Sequence, residues 1–203
     1  MKKELSSKAI QRLTLYHFIL RDYMLKGIEH ISSQQIAALL KIDDSQVRKD
    51  VTFCKTQGKT KVGYNVLELR KAIEDLLGFE RRKDVFIVGA GNLGFALAKY
   101  DDFKDYGLDV LALFDIDEKK VDRSINGKKI FHISKFEDLV KQMGVEIAVL
   151  TVPANVAQEV ADILAKAKIK YVWNFTTTVL DVPDDIKVHN ENIMGNFLDF
   201  TNK

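Results

Sequence analysis

Apolar residues are spaced differently in the first third of this chain and in the remainder. The first pattern repeats every three or four residues, as on one face of a helix, through Ile10, Leu13, Tyr16 or His17, Leu20 and Met24. Gly27 fits the end of this helix. Farther along, residues 85–88 and 110–114 form continuous apolar runs that are typical of buried strands. The chain is therefore predicted to have a helical N-terminal part followed by an α/β part.

The first third also predicts two short helices joined by a tight polar turn. Serines at residues 32–33 can cap the first helix, and aspartates at residues 43–44 can cap the second. In the second helix Val47, Val51 and Cys54 share one face, which predicts a buried stripe. The opposite face is polar and basic, with Ser45, Arg48, Lys49, Thr52 and Lys55. This arrangement is typical of a helix-turn-helix whose second helix contacts DNA.

The segment after the second helix favours a wing. Residues 57–65 contain two glycines and two lysines, which suit a short β-ribbon whose Lys59 and Lys61 reach phosphates or the minor groove. Arg48 and Lys49 would enter the major groove. The residues predicted to contact DNA are Ser33, Ser45, Gln46, Arg48, Lys49, Thr52, Lys55, Lys59, Lys61 and Tyr64. A helical domain that binds another protein would explain the same helices, so that alternative stays open at this point.

Pattern and charge together set residues 1–78 apart from the rest. Asn65 and Glu68 form the pattern of a capping box for a fourth helix that ends near Gly78. Residues 1–78 carry 14 Lys and Arg against 9 Asp and Glu, whereas the remaining residues carry 17 against 20. A basic first third attached to an acidic remainder indicates a polyanion-binding module joined to a ligand-binding one.

The most informative motif directly follows the first apolar run. Gly89, Gly91 and Gly94 form the pattern Gly-x-Gly-x-x-Gly between a predicted strand and a predicted helix, and Asp115 ends the second apolar run. In dinucleotide-binding domains the three glycines permit a tight turn, close approach of the pyrophosphate and close helix packing. The acid accepts hydrogen bonds from the ribose hydroxyls. Because strand, helix and acid are all in place, we favour this interpretation over an ordinary glycine-rich turn.

Asp115 also predicts which dinucleotide binds. A carboxylate repels the additional phosphate of NADP(H), for which a nearby arginine would be expected. Asp117 and Glu118 add negative charge, whereas Lys119 and Lys120 are expected on a solvated helix face. The sequence therefore favours NAD(H) over NADP(H) as the cofactor.

Composition places limits on this picture. Hydrophobic residues make up 46% and charged residues 30% of the chain, and no apolar run approaches the roughly 18 residues of a membrane span. The N-terminus lacks the apolar core of a signal peptide, and one cysteine fits a reducing cytoplasm, which is the expected location. Cys54 is expected in the core rather than as an exposed redox thiol. The four histidines have no metal-ligand spacing, so no metal site is predicted.

Together these motifs resemble the Rex family of redox-sensing transcriptional repressors, from about Leu13 to Phe200. The matching segments are Ile31-Ser32-Ser33, Val47-Arg48-Lys49-Asp50, Gly63-Tyr64-Asn65-Val66, residues 88–94, Phe114-Asp115-Ile116-Asp117, residues 150–154 and Asn174-Phe175-Thr176. The resemblance implies a winged-helix DNA-binding domain at residues 1–80, a Rossmann-like NAD(H)-binding domain at residues 81–188 and a C-terminal helix at residues 189–203 that is exchanged within a homodimer. Such a dimer would bind a palindromic DNA operator when NAD+ dominates and release it when NADH rises.

The resemblance also assigns roles to individual residues. Tyr100 would lie near the nicotinamide and couple redox state to dimer geometry, and Thr151, Val152 and Pro153 would line the nicotinamide half of the cleft. The predicted cofactor-binding residues are Gly89, Ala90, Gly91, Asn92, Leu93, Gly94, Tyr100, Asp115, Ile116, Thr151, Val152 and Pro153. Structural alternatives exist, since Tyr100 could cover core surface, Pro153 could end a strand, and the apolar C-terminal helix could pack on its own domain.

The chain departs from the family pattern at three places. The wing reads Cys54-Lys55-Thr56-Gln57-Gly58-Lys59-Thr60-Lys61, where the family usually has Phe-Gly-x-Phe-Gly-Lys-Arg-Gly. Thr177-Thr178-Val179 stands where Pro-Val-Arg is usual. Asn192 stands where an aspartate partners the family tyrosine across the dimer, and an amide keeps the hydrogen bonds but not the charge. An alternative is therefore a divergent winged-helix regulator with weakened redox sensing or another adenine-nucleotide ligand.

Two other classes of function are weighed against a repressor. An NAD-dependent dehydrogenase needs a positioned acid or base and usually a substrate domain, and here His132 and His189 have no evident partner. A module similar to the coenzyme-A-binding domain of acyl-CoA synthetases would fit the Thr-Val-Pro turn, but Asp115 and the winged helix argue against it. The chain is therefore expected to have no catalytic residue.

Overall fold

The computed structural model describes residues 5–60 and 62–202. They belong to two compact units, Met1–Arg81 and Arg82–Lys203. Within the described part of the first unit the elements are α1 Ser7–Leu25, β1 His30–Ile31, α2 Ser33–Leu40, α3 Asp44–Val51, β2 Tyr64–Asn65 and α4 Val66–Leu77. A 3-10 turn, Thr52–Cys54, extends α3. The predicted four helices are confirmed, with α2 and α3 as the helix-turn-helix.

Side-chain caps explain where three of these helices begin. Ser32 Oγ accepts from the Gln35 N–H at 3.1 Å and the Gln35 side chain accepts from the Ser32 N–H at 2.8 Å, which completes a capping box at α2. Asp43 caps α3 by accepting from the backbone N–H two residues on. At α4 the Asn65 side chain accepts from the Glu68 N–H at 3.0 Å, which is one half of the predicted capping box.

The wing has a partner strand that the sequence did not predict. β2, at the end of the wing, pairs antiparallel with β1. Within the described part of residues 57–65, the predicted β-ribbon is reduced to one isolated bridge between Lys59 and Gly63. Gly63 has a φ of +97°, and a Cβ atom there would lie 2.5 Å from the Ile31 carbonyl oxygen. A two-residue strand is too short to show the alternation by which strands are recognised in a sequence.

All four helices contribute to the core of the first unit. Its buried residues include Leu13, Tyr16 and Leu20 of α1, Ile36 of α2, Val47 and Val51 of α3, and Leu69 and Ile73 of α4. Both Tyr16 and His17 are buried, which resolves the alternative left open by the spacing. Cys54 completes the predicted stripe on α3 and its extension.

A buried carboxylate ties α3 to α1. Asp50 is 1% exposed and accepts hydrogen bonds from Arg12 Nε at 2.6 Å, the Tyr16 hydroxyl at 2.9 Å and Gln46 Nε2 at 2.8 Å. Burial alone would raise the pKa of Asp50, but the hydrogen bonds from Arg12 and Tyr16 lower it below its ordinary value. This carboxylate therefore stays ionised and fixes the position of the helix predicted to contact DNA.

The second unit contains a seven-stranded sheet. Its described elements are β3 Lys83–Val88, α5 Asn92–Ala98, β4 Leu108–Asp115, β5 Ser124–Ile125, β6 Lys128–His132, α6 Phe136–Met143, β7 Ile147–Leu150, α7 Ala157–Lys166, β8 Tyr171–Asn174, β9 Lys187–Asn190 and α8 Ile193–Thr201. The strand order is β5-β6-β4-β3-β7-β8-β9, and every neighbouring pair is parallel except β5 and β6. Without β5 this is the order of a Rossmann fold, so the predicted fold class is confirmed.

The two faces of this sheet are covered by different helices. On one face Phe86 and Phe114 pack with Phe136 of α6 and Leu164 of α7. On the other face residues such as Ile87 pack beside α5. In β3 successive side chains alternate between these two cores, as the period of a strand requires. The central strands β3, β4 and β7 are buried on both faces, which explains why they read as continuous apolar runs.

The C-terminal helix is not covered by its own unit. The predicted boundary between residues 188 and 189 falls inside β9, and α8 begins after Asn192, whose side chain accepts from the Gly195 N–H at 2.8 Å. The apolar residues of α8 are 51–79% exposed: Ile193, Met194, Phe197, Leu198 and Phe200. The alternative that this helix packs on its own domain is therefore wrong. No described helix is long and apolar enough to cross a membrane.

Replacing Asp50 with alanine should destabilise the protein by about 3 kcal/mol, because Arg12 and the buried Tyr16 hydroxyl lose their partner. Chemical denaturation measures the free energy of unfolding. Asp22→Ala is the control, since Asp22 pairs with Lys26 on the exposed face of α1. Equal stabilities of Asp50→Ala and Asp22→Ala would contradict this role of Asp50.

The stabilisation by Asp50 should also depend on pH. Because the pKa of Asp50 is lowered in the folded state, its contribution to the free energy of unfolding should be complete above the ordinary aspartate pKa and disappear as pH falls through the lowered one.

Candidate functional site

A crevice lies where the carboxyl ends of β3 and β7 meet. Gly89 follows β3 with a φ of +106°, and a Cβ atom there would lie 2.7 Å from the Thr151 carbonyl oxygen. The Thr151 hydroxyl donates to the Gly89 carbonyl oxygen at 2.8 Å. In a sheet of this order the adjacent first and fourth parallel strands are the switch point at which α/β proteins bind ligands.

The other two glycines of the motif differ in what surrounds them. A Cβ atom at Gly94 would lie 2.0 Å from the Gly89 carbonyl oxygen, so α5 can approach the strand only with glycine there. A Cβ atom at Gly91 would meet no heavy atom within 4 Å, and Gly91 is the N-cap residue of α5. These surroundings fit the three roles of the motif: a tight turn, space for a pyrophosphate and close helix packing. The residues present therefore fit a dinucleotide.

Asp115 is held at the edge of the crevice by three donors. Its carboxylate accepts from the Ala90 N–H at 2.8 Å, the Asp117 N–H at 2.9 Å and Lys120 Nζ at 3.0 Å. Burial would raise the pKa of Asp115, but the hydrogen bonds from Asp117, Lys120 and Ala90 lower it below its ordinary value. The group is therefore a carboxylate at neutral pH, as an acceptor for ribose hydroxyls must be.

Lys120 corrects one expectation. It was expected on a solvated helix face, but its ammonium group pairs with Asp115 and lines the crevice. The tight turn after β4 brings the chain back over the carboxylate, and this could not be inferred from a helical pattern. Asp115 and Asp117 therefore disfavour NADP(H) beside a cation, Lys120, rather than in an entirely acidic environment.

The crevice opens into a cavity of about 470 Å³. It brings together seven of the predicted cofactor-binding residues: Gly89, Gly91, Asp115, Ile116, Thr151, Val152 and Pro153. Ala90, Asn92, Leu93 and Gly94 belong to the same turn and helix start but do not line the cavity. Sequence reasoning missed much of the apolar wall, which includes Ile133, Val156, Val160 and Ile163. The helical spacing of the last three, on and just before α7, was the signal that could have found them.

Tyr100 lies outside this cavity. Its side chain is 52% exposed, and its ring contacts Phe103 with centroids 4.8 Å apart. The Phe103 ring centroid in turn lies 6.2 Å from that of Trp173 on β8. The alternative that Tyr100 covers core surface is therefore only partly met, since half of its surface stays accessible. Its predicted place near a nicotinamide stays a prediction.

Asn174, which the sequence placed in a matching segment without a role, holds the loop after β8. Asn174 is fully buried, and its amide donates to the Thr178 carbonyl oxygen at 2.9 Å and to Asn190 Oδ1 at 2.8 Å. Its carbonyl oxygen accepts from the backbone N–H and the hydroxyl of Thr176. The polar loop is thus fixed by Asn174, although its sequence departs from Pro-Val-Arg.

The predicted DNA-contacting residues divide into two sets, with Gln46 and Lys61 apart from both. Those exposed on α3 and its extension are Ser45, Arg48, Lys49, Thr52 and Lys55. A polar cavity of about 410 Å³ brings together Ser33, Lys59 and Tyr64. Gln46 instead donates its amide to the buried Asp50, so its assignment as a DNA contact is not favoured. Lys61 lies outside the described residues. Within α3, Arg48 pairs with Asp44, one turn earlier.

Two family models match the chain. One is described as a CoA binding domain and covers residues 80–178, and the other is described as the N-terminus of a putative DNA-binding protein and covers residues 4–51. The redox-sensing transcriptional repressor Rex of Treponema denticola is 40% identical over 192 residues, which are 95% of this chain and 91% of the relative.

Solved structures support the same likeness. The Rex-family repressor RSP in complex with β-NAD+ and operator DNA has a TM-score of 0.87 and 31% identity, covering 98% of this chain and 92% of RSP. The complex of RSP with β-NADH has a TM-score of 0.85 and 30% identity, covering 97% and 92%.

The fold and the site define a class of protein in which a winged-helix DNA-binding domain precedes a Rossmann-like nucleotide-binding domain. Within that class, this chain belongs to the Rex family of redox-sensing transcriptional repressors. The expectation that it is not an enzyme agrees with these relatives, which are named as repressors.

Gly91→Ala and Gly94→Ala should separate ligand binding from folding. A methyl group at residue 91 meets open space in the protein, so this variant should unfold at the wild-type temperature but bind NADH at least about tenfold more weakly. A methyl group at residue 94 overlaps the Gly89 carbonyl oxygen, so that variant should lose stability. Thermal unfolding and calorimetric titration measure the two effects. Unchanged NADH affinity in Gly91→Ala would contradict the site.

Cys54 should be a poor redox sensor. Burial raises the pKa of its thiol to about 11, so little thiolate forms at pH 8. We expect it to react with a thiol-specific disulfide reagent much more slowly in the folded protein than after denaturation. A folded-state rate equal to that of the unfolded chain would instead favour a sensor thiol.

Proposed function

We propose that this protein is a transcriptional repressor that responds to the ratio of NADH to NAD+. It binds a palindromic operator as a homodimer and is released by NADH. The observation that carries this proposal is the glycine turn with Asp115 in the switch-point crevice, on a chain whose first unit is a winged helix. The repressor acts in the cytoplasm, and it has no chemical step.

The exposed α8 supports the homodimer. An apolar helix with no buried residue in its own chain needs a partner surface, and a second copy of the chain provides one. A dimer also sets the separation of two α3 helices, which must match two half-sites of a palindrome. NADH needs only to bind one dimer geometry better than another to change the affinity for DNA.

NAD(H) is the ligand supported best. Asp115 offers an ionised acceptor for two ribose hydroxyls, and Asp117 adds a second negative charge to the same cavity, which disfavours the additional phosphate of NADP(H). The complexes of the repressor RSP, which are with β-NAD+ and β-NADH, support this choice. The match to a CoA binding domain model is accounted for by the shared Rossmann-like fold.

A second candidate function is a divergent regulator with weakened redox sensing. Asn192 favours it, because its uncharged side chain is used to cap α8 and stands where the family has an aspartate. Both candidates predict DNA and dinucleotide binding. They differ in whether NADH releases DNA more effectively than NAD+.

Titration of the protein on a Rex-like palindromic duplex, at fixed salt, tests the proposal. NADH should release the duplex at a concentration at which NAD+ does not.

Asp115→Ala should weaken NADH binding by about tenfold or more and leave DNA affinity unchanged, because a hydrogen bond to a charged group is lost. Arg48→Ala should do the reverse.

The other outcomes are informative as well. Tight binding of NADH without release of DNA would support the second candidate. Failure of the wild type to bind DNA both without cofactor and in the presence of NAD+ would contradict both.

A further inference from the structure

The turn between β7 and α7 forms one wall of the ligand cavity. Pro153, Asn155 and Val156 all line the cavity, and the first two of them are exposed. Among the described residues, no side chain caps the 3-10 turn Ala154–Val156 or the start of α7. An exposed turn without a cap has little within its own segment to hold it in one position, so its support must come from elsewhere.

That support comes from the loop after β8. Ala154 lies between two cavity-lining residues, and its carbonyl oxygen accepts a hydrogen bond from the Thr178 hydroxyl at 3.0 Å. In the first turn of α7, the Gln158 side chain donates to the Asp181 carbonyl oxygen at 2.8 Å and accepts from the Asp181 N–H at 2.9 Å. Residues that line the cavity and residues that bind this loop therefore alternate along one short segment.

The loop after β8 is itself firmly anchored. The buried Asn174 amide donates to the Thr178 carbonyl oxygen at 2.9 Å, and the Thr178 N–H donates to the Thr176 hydroxyl oxygen at 3.2 Å. The backbone of Thr178 is thus fixed from the end of β8, while its hydroxyl binds the cavity wall. A side chain can position another group only when its own conformation is held by packing and hydrogen bonds, and Thr178 meets this condition.

We propose that Thr178 is a positioning residue of the ligand cavity, which acts through the Ala154 carbonyl to hold residues 153–156 where they contact NAD(H). This inference rests on the proposed function, in which NAD(H) occupies the cavity. Ala154 is exposed, so water can bind its carbonyl oxygen when the hydroxyl is absent. Water does not fix the position of the turn, so loss of the hydroxyl should weaken ligand binding rather than folding.

Three variants separate the hydrogen bond from other properties of the loop. Thr178→Val removes the hydroxyl and keeps the branched shape of the side chain. Thr178→Ser keeps the hydroxyl and removes the methyl group. Thr177→Val makes the same change as Thr178→Val one residue earlier, where the exposed threonine has no side-chain hydrogen bond within the described residues.

Calorimetric titration of the full chain with NADH, together with thermal unfolding in the absence of ligand, tests the proposal. Thr178→Val should bind NADH about fivefold more weakly than the wild type, because the cavity wall must then be ordered when the ligand binds. Its unfolding temperature should be that of the wild type. Thr178→Ser and Thr177→Val should both bind NADH with wild-type affinity.

Several results would overturn this role of Thr178. One is wild-type NADH affinity in Thr178→Val. Another is a loss of affinity that Thr178→Ser does not restore or that Thr177→Val reproduces, since the hydrogen bond would not be its cause. A loss accompanied by a lower unfolding temperature would assign the hydroxyl to folding. Absence of NADH binding to the wild type would instead overturn the proposed function, and this inference with it.

Discussion

The Gly89 carbonyl oxygen is the point at which three elements of the second unit meet. It accepts from the Thr151 hydroxyl after β7, and a Cβ atom at residue 94 of α5 would lie 2.0 Å from it. The helix can approach the strand this closely only because residue 94 is glycine. The same close packing opens the crevice beside Gly91 and places the Ala90 N–H on Asp115. The binding site is therefore a consequence of how the sheet, α5 and the turn are packed together.

In the first unit, a buried hydrogen-bonded group likewise fixes the packing of two elements, and here it positions the helix predicted to contact DNA. Asp50 is a buried charge that is stable only because Arg12 and Tyr16 meet it. By joining α3 to α1, it fixes the helix whose outer face carries the exposed cations. A rigid recognition helix matters for a regulator, because a ligand can control DNA binding through dimer geometry only if each half is firm. The exposed apolar face of α8 is the surface that we propose joins two such halves.

Much of this could be predicted from the sequence, because the informative signals were local. The glycine motif, the helix caps and the stripe of Val47 and Val51 depend on residues a few positions apart. Features that depend on distant contacts could not be predicted. Asp50 of α3 meets Arg12 and Tyr16 of α1, and β1 pairs with β2, in each case across more than thirty residues. Lys120 and Gln46 lie within five residues of their partners, Asp115 and Asp50, but the turn and the burial that bring these pairs together are not visible in the sequence.

The most direct test of this account is a crystal structure of the protein with NADH. We predict that the pyrophosphate lies beside Gly91, where a Cβ atom would meet no neighbour, and that the adenosine ribose lies within hydrogen-bonding distance of the Asp115 carboxylate. NADH bound elsewhere, or bound in this crevice with its ribose away from Asp115, would contradict the assignment of the switch point as the sensing site.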